Sequence, residues 1–264
     1  MDIPAHRARS SSVSSGSNIS ESPPQLDASV LALLNDFIAN KAKEEARFKA
    51  LEAESAAAQL AGIDFDGGDG EPDDLKPMVS LQEYKNTFGE DWQLSQFWYS
   101  DAFANRMSEL LHSMCTAETK IAFMCSPTAF VAFQHMKQLR GAYLFEFDRR
   151  FGILAPKQYV PYDLDSPDDF PPRFKGYFDV VVADPPFLNE VTNVKLISTL
   201  KQVMQKDAKL LLLTSTSVED VLEKLYTERP LGPLKRTSMV VEHGQLANDF
   251  ASWGSWAGAD KFGA

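Results

Sequence analysis

The chain has 264 residues, 44% hydrophobic and 24% charged, with a formal net charge of -11; this excludes a wholly disordered or collagen-like polymer. So acidic a chain is a poor general binder of phosphate backbones, whose affinity rests on Lys and Arg releasing counterions, and it suits a basic partner better. No run approaches the ~20 apolar residues that span a bilayer, and Cys115 and Cys125 form neither a disulfide framework nor a metal-ligand spacing.

Residues 1–27 are Ser-rich, nearly free of large apolar side chains, and read as a disordered tail. They lack the apolar stretch of a secretory signal, so the expected address is the cytoplasm. Val30, Leu33, Leu34, Phe37 and Ile38 then recur at helical spacing. They predict a helix over 28–61, with Asp27 as its N-cap. Residues 62–76 form an acidic linker without the ligand order of a calcium loop. One domain is expected over 77–264.

Inside that domain, β-rich runs alternate with helical ones. Strands are predicted at 120–125, 142–147, 158–162, 178–183 and 208–214, with two more near 235–241 and 250–256. Helices are predicted at 100–115, 128–139, 189–204 and 218–226. The central strands, such as FDVVVA at 178–183, are apolar throughout rather than alternating. That is the pattern of a parallel sheet covered on both faces. The expected fold is therefore open, doubly wound α/β, with its ligand outside the carboxyl ends of the strands.

Two strand ends carry the chemistry. Glu146 closes the second strand, about twenty residues beyond the first turn, where a carboxylate can take both hydroxyls of a ribose. The competing reading is a strand-end acid facing water. The first turn, Ser126-Pro127-Thr128, has no G-x-G-x-x-G glycines for close approach of a pyrophosphate. This disfavours a dinucleotide and leaves an adenosine ligand open. After the fourth strand comes Asp184-Pro185-Pro186-Phe187. Two prolines remove two amide donors, leaving carbonyls and the Asp184 carboxylate to receive the hydrogens of an amino group beside a flat aromatic face. His243 reads either as a pocket proton relay or as a loop histidine. Arg149 and Arg150, in an acidic chain, read as local ion pairs rather than a nucleic-acid surface.

These motifs carry a family resemblance. Trp92-Gln93-Leu94-Ser95-Gln96-Phe97-Trp98-Tyr99-Ser100, Leu144-Phe145-Glu146-Phe147-Asp148-Arg149-Arg150-Phe151, Ala183–Leu188 and Leu246-Ala247-Asn248-Asp249-Phe250 are the residues concerned. They resemble the eukaryotic protein-lysine methyltransferases acting on translation elongation factor 1-alpha, once described as putative adenine methyltransferases. The resemblance implies a Rossmann-like, seven-stranded class I methyltransferase sheet, S-adenosylmethionine as cofactor, and elongation factor 1-alpha as protein partner. It implies that Glu146 holds the ribose and that Phe147 and Asp163 lie near the adenine. Gln96, Phe97, Trp98 and Tyr99 would line the cofactor or target-lysine mouth, and Ser126 belongs with the cofactor-binding group. Asp184, Pro185, Pro186 and Phe187 would hold the reacting amine, with Phe187, His243 and Asn248 toward the substrate. Asn189, Thr192, Val241, Glu242 and Asp249 depart from the family's usual residues. Two alternatives stay open: an adenine amino-methyltransferase acting on nucleic acid, and a non-catalytic adaptor that keeps the fold.

Overall fold

A computed structural model describes residues 27–60, 77–244 and 249–264. The expected tail (apart from Asp27) and the acidic linker lie outside the described residues. The chain divides into two compact units, residues 1–41 and 42–264. Helix α1 (Ala28–Leu60) runs from the first into the second. Its start is capped locally, where Asp27 Oδ1 accepts from the Ser29 amide at 2.8 Å.

In the second unit, α2 (Leu81–Thr87) is absent from the sequence reading. It starts where Ser80 Oγ accepts from the Glu83 amide at 3.2 Å. Then follow α3 (Asp101–Ser113), β1 (Ile121–Met124), α4 (Pro127–Met136), β2 (Ala142–Glu146), β3 (Tyr159–Pro161) and β4 (Phe178–Ala183). The chain ends with α5 (Glu190–Val203), β5 (Met204–Ser215), α6 (Glu219–Leu225), β6 (Lys235–Arg236) and β7 (Phe250–Gly254). The seven strands form one sheet in the order β3-β2-β1-β4-β5-β7-β6. β1 to β5 pair in parallel, whereas β7 is antiparallel to both its neighbours. This is the class I methyltransferase sheet expected from the sequence.

The fully apolar strands are explained by what covers each face. Ile121, Phe123, Val180, Val182, Leu211 and Leu213 join the core under α3 and α4. Their alternates Ala122, Met124, Val181, Ala183, Leu210 and Leu212 join the core under α5 and α6. Successive side chains point to opposite faces, and both faces are buried, so no position in β1 tolerates a polar group. Truncating Phe123, which is fully buried, to Ala would cost about 3–5 kcal/mol.

Most boundaries shift by one or two residues from the sequence reading, and three shift further: β5 starts at Met204 rather than 208, and β6 and α4 end early. β6 covers only Lys235–Arg236 rather than 235–241, because the chain leaves the sheet at once. The Ser238 amide donates to Phe262 O, and Glu242 O accepts from the Ser100 amide at 2.8 Å. α4 stops at Met136 because Gln134, near its end, binds the following turn, its Oε1 accepting from the Leu139 amide at 2.7 Å. Among the described residues no helix is long and apolar enough to cross a membrane.

From β1 the chain winds outward through β2 and β3, then returns to place β4 on the other side of β1. The strand order therefore reverses between β1 and β4, and a crevice opens at their carboxyl ends.

Candidate functional site

A cavity of about 740 Å³ fills that crevice, within the range of small-molecule sites. The carboxyl ends of β1 to β5 and one strap build it.

The first turn leaves β1 through Cys125, whose φ of 54° is left-handed. That is an uncommon state for a residue with a side chain, and such strain collects at functional sites. Pro127 then occupies the first turn of α4, where its missing N–H costs nothing. Ser126 makes no side-chain cap there. Ser126 Oγ and Thr128 Oγ1 are buried without a well-formed hydrogen bond, although the hydroxyls of Tyr99 and Tyr84 lie beside them.

Glu146 ends β2 and is buried. Its Oε1 accepts from the Phe147 and Asp148 amides at 2.9 and 3.2 Å. Among the described residues no donor addresses Oε2. Desolvation pushes the carboxyl up to about 7, with the charges of Asp148 and Asp184 acting in the same direction. A carboxylate fixed by its own turn, with one oxygen open to the cavity, suits a pair of vicinal hydroxyls.

Asp184 ends β4, its amide donating to Met124 O at 3.0 Å. The Tyr99 hydroxyl donates to its Oδ2. Desolvation pushes this carboxyl up to about 7 against that hydrogen bond. Pro185 and Pro186 supply no N–H. Phe187 turns left-handed at φ 57°, and its ring is 60% exposed. Asn189, one of the residues that departs from the resemblance, caps α5 by accepting from the Thr192 amide at 2.9 Å.

The strap over the cavity, residues 93–100, is tied to a segment far along the chain. Tyr99 and His243 form an antiparallel bridge, and the Gly244 amide donates to Trp98 O at 2.9 Å. The His243 ring lies 5.0 Å from Tyr99 and 4.8 Å from Phe250. Burial pushes its pKa down to about 4, so it is neutral at pH 7.

Gln96, Phe97, Trp98, Tyr99, Ser126, Glu146, Phe147, Asp163, Asp184, Pro185, Pro186, Phe187 and His243 all border this one cavity. Asn248 lies outside the described residues. Placement varies within the set. The Trp98 indole turns away into an aromatic cluster, donating to Phe88 O at 2.8 Å and packing 5.2 Å from Tyr84. Phe147 is 59% exposed, and the exposed Asp163 turns Oδ1 to the Asp165 amide. Sequence reasoning missed Lys195, which borders the cavity and pairs with Asp165. No local pattern marks it, since its direction is set by where Asn189 starts α5. It also missed the tie from Gln96 Nε2 to Asp148 Oδ2 at 3.2 Å. Among the described lining residues, Glu146, Asp163, Asp165, Asp184 and Asp249 face Lys195 as the sole cation. Such a cavity attracts positive charge and repels polyanions.

The sequence profile of a family described as "Probable N6-adenine methyltransferase" matches residues 90–258. A protein-lysine N-methyltransferase of Caenorhabditis elegans is 33% identical over 177 residues, 63% of this chain and 78% of that protein. The protein-lysine N-methyltransferase EFM5 of Saccharomyces cerevisiae is 29% identical over 88% of this chain and 91% of its own. EEF1A lysine methyltransferase 1 of Bos taurus is 32% identical over 87% of this chain and 86% of its own. Among solved structures, a SAM-dependent methyltransferase of Corynebacterium glutamicum aligns with 56% of this chain and 85% of its own, at 16% identity and a TM-score of 0.39.

Proposed function

The chain belongs to the family described as probable N6-adenine methyltransferases, and from that premise we propose that it methylates a lysine of elongation factor 1-alpha with S-adenosylmethionine. The observation that carries this reading is the placement of Glu146 and the Asp184–Phe187 bend on one acid-lined cavity. The names of the curated relatives supply the substrate.

The donor set fits the cofactor. Glu146 Oε2 is open to ribose hydroxyls, and the excess of carboxylates suits a sulfonium. When bound, S-adenosylmethionine supplies a methyl group on a positively charged sulfur. The rest is done by the protein's own residues. Phe187 and the carbonyls of the proline bend position the lysine side chain, and alignment of this kind supplies a large part of such rate gains.

A lysine of ordinary pKa ~10.4 must lose a proton first, at a cost of about 4.6 kcal/mol at pH 7. Asp184 is the group placed to receive it. Raised to about 7, it makes the proton transfer roughly 4 kcal/mol less uphill than an ordinary aspartate would. Tyr99 fixes the carboxylate by donating to Oδ2, leaving Oδ1 for the amine. His243, neutral and packed against the Tyr99 and Phe250 rings, serves as wall rather than base.

An acid-lined mouth also favours a cationic lysine over a nucleic-acid strand. The test is mass spectrometry of elongation factor 1-alpha incubated with labelled cofactor and the protein. Label on one lysine, lost with Asp184→Asn, is the expected result. Label appearing only on DNA or RNA oligonucleotides would refute the reading.

A further inference from the structure

Gln96 is 7% exposed and borders the cavity. Its Nε2 donates to Asp148 Oδ2 at 3.2 Å, while its Oε1 is buried and, among the described residues, has no partner. This orientation cannot be reversed. An ionised carboxylate only accepts, so a flipped amide would set two acceptors against each other.

Asp148 is itself clamped. Arg150 Nε lies 3.0 and 2.9 Å from its two oxygens, Nη2 lies 2.6 Å from Oδ2, and the Arg150 amide donates to Oδ1 at 3.0 Å. Although burial pushes the carboxyl up, these contacts outweigh it and hold it ionised. Neither Asp148 nor Arg150 borders the cavity. Asp148 meets the cavity at two points: its side chain holds Gln96, and its amide and charge act on Glu146.

An unpaired buried carbonyl destabilises a folded chain unless something completes it. What completes this one is a donor, and the carboxylates around the cavity select a cationic donor. In the cofactor proposed above, the sulfonium has no N–H, the adenine amine is neutral, and the ribose hydroxyls match Glu146 Oε2. The α-ammonium of the amino-acid end is both cationic and a donor.

We propose that Gln96 is a fixed acceptor for the α-ammonium group of S-adenosylmethionine, with Asp148 and Arg150 as the residues that position it. The proposal rests on the cofactor reading above. It assigns the strap, rather than the first turn, to reading the amino-acid end of the ligand.

Calorimetry with two probes tests it without turnover. S-adenosylhomocysteine carries the amino-acid end, and methylthioadenosine shares the nucleoside and thioether but lacks it. Gln96→Met is expected to weaken S-adenosylhomocysteine about tenfold or more, the loss of a hydrogen bond to a charged group, and methylthioadenosine by less than about twofold. Asp148→Asn, which lets the amide turn, is expected to lose the same selectivity. The double variant is expected to show the same ratio between the two probes as Gln96→Met, because toward the amino-acid end Asp148 acts through Gln96, whereas any effect through Glu146 falls on both probes alike. If Asp148→Asn does not fold, Gln96→Met decides the matter, with Arg150→Lys as the charge-preserving control expected to retain selectivity. Equal weakening of both probes would overturn the proposal, since the oxygen would then face the nucleoside. Unchanged affinity for S-adenosylhomocysteine would overturn it as well. A parent protein that binds neither probe would overturn the cofactor reading itself, and the parent alone reveals that.

Discussion

Glu146 and Asp184 close two strands of one sheet, and desolvation raises both to about 7, yet they are held in opposite ways. Glu146 is fixed by the backbone of its own turn, through the Phe147 and Asp148 amides. Asp184 is fixed by a side chain from the strap, the Tyr99 hydroxyl. A ligand-holding acid can be set by local backbone, because its task is a constant geometry. An acid that receives a proton gains from a distant partner that adjusts its affinity for that proton.

The sharpest way to break this comparison is to remove each charge in turn. Asp184→Asn is expected to lower kcat by about 10²–10⁴, the range for a positioned acid–base group, with cofactor affinity changed by no more than about threefold; steady-state kinetics and calorimetry separate the two. Glu146→Gln is expected to do the reverse, raising the cofactor dissociation constant about 10–100-fold with less effect on kcat at saturation. If both variants lose affinity equally, the division of labour is wrong.

Tyr99→Phe sharpens the comparison further. The Tyr99 hydrogen bond opposes the upward shift of Asp184, so its loss moves the rising limb of the pH–rate profile upward, by about one unit. Glu146→Gln should leave that limb nearly in place.

Stability gives a smaller effect of definite sign. Asp184 binds its proton more tightly folded than unfolded, about 7 against an ordinary 3.8. Its protonated form therefore stabilises the ligand-free protein fully below pH ~4, and that contribution is lost as pH rises through ~7. Asp184→Asn should thus be more stable than the parent at pH 8, by about 1–3 kcal/mol, with the advantage vanishing near pH 4 in thermal melts. Smallest of all, Phe187→Ala should change stability by no more than about 0.5 kcal/mol, since the ring is 60% exposed, while still lowering kcat/KM.

The fold was legible because its signal is local. FDVVVA in β4 is apolar on both faces, and only a doubly covered parallel sheet needs that. Glu146 and the Asp184–Phe187 bend were legible because the fold fixes where strands end. α2 was not, because seven residues give too little periodicity to see. Nor were Lys195, the Tyr99–His243 bridge or the Gln96–Asp148 tie. These depend on where segments meet in space, and a bridge between positions 99 and 243 leaves no mark on either segment alone. The aromatic Trp98 shows the same limit from the other side. Its neighbours in sequence face the cavity, but its indole finds Phe88 instead.

The tie of Trp98 and Ser100 to Glu242 and Gly244 also bears on when the protein becomes active. A nascent chain that has emerged only through β5 can already assemble the five parallel strands of its sheet, both buried acids included. It has no latch for Tyr99, however, until residues 242–244 have left the ribosome. Competence thus arrives after the scaffold is in place, and a chain released before that point would be folded in part and without its latch.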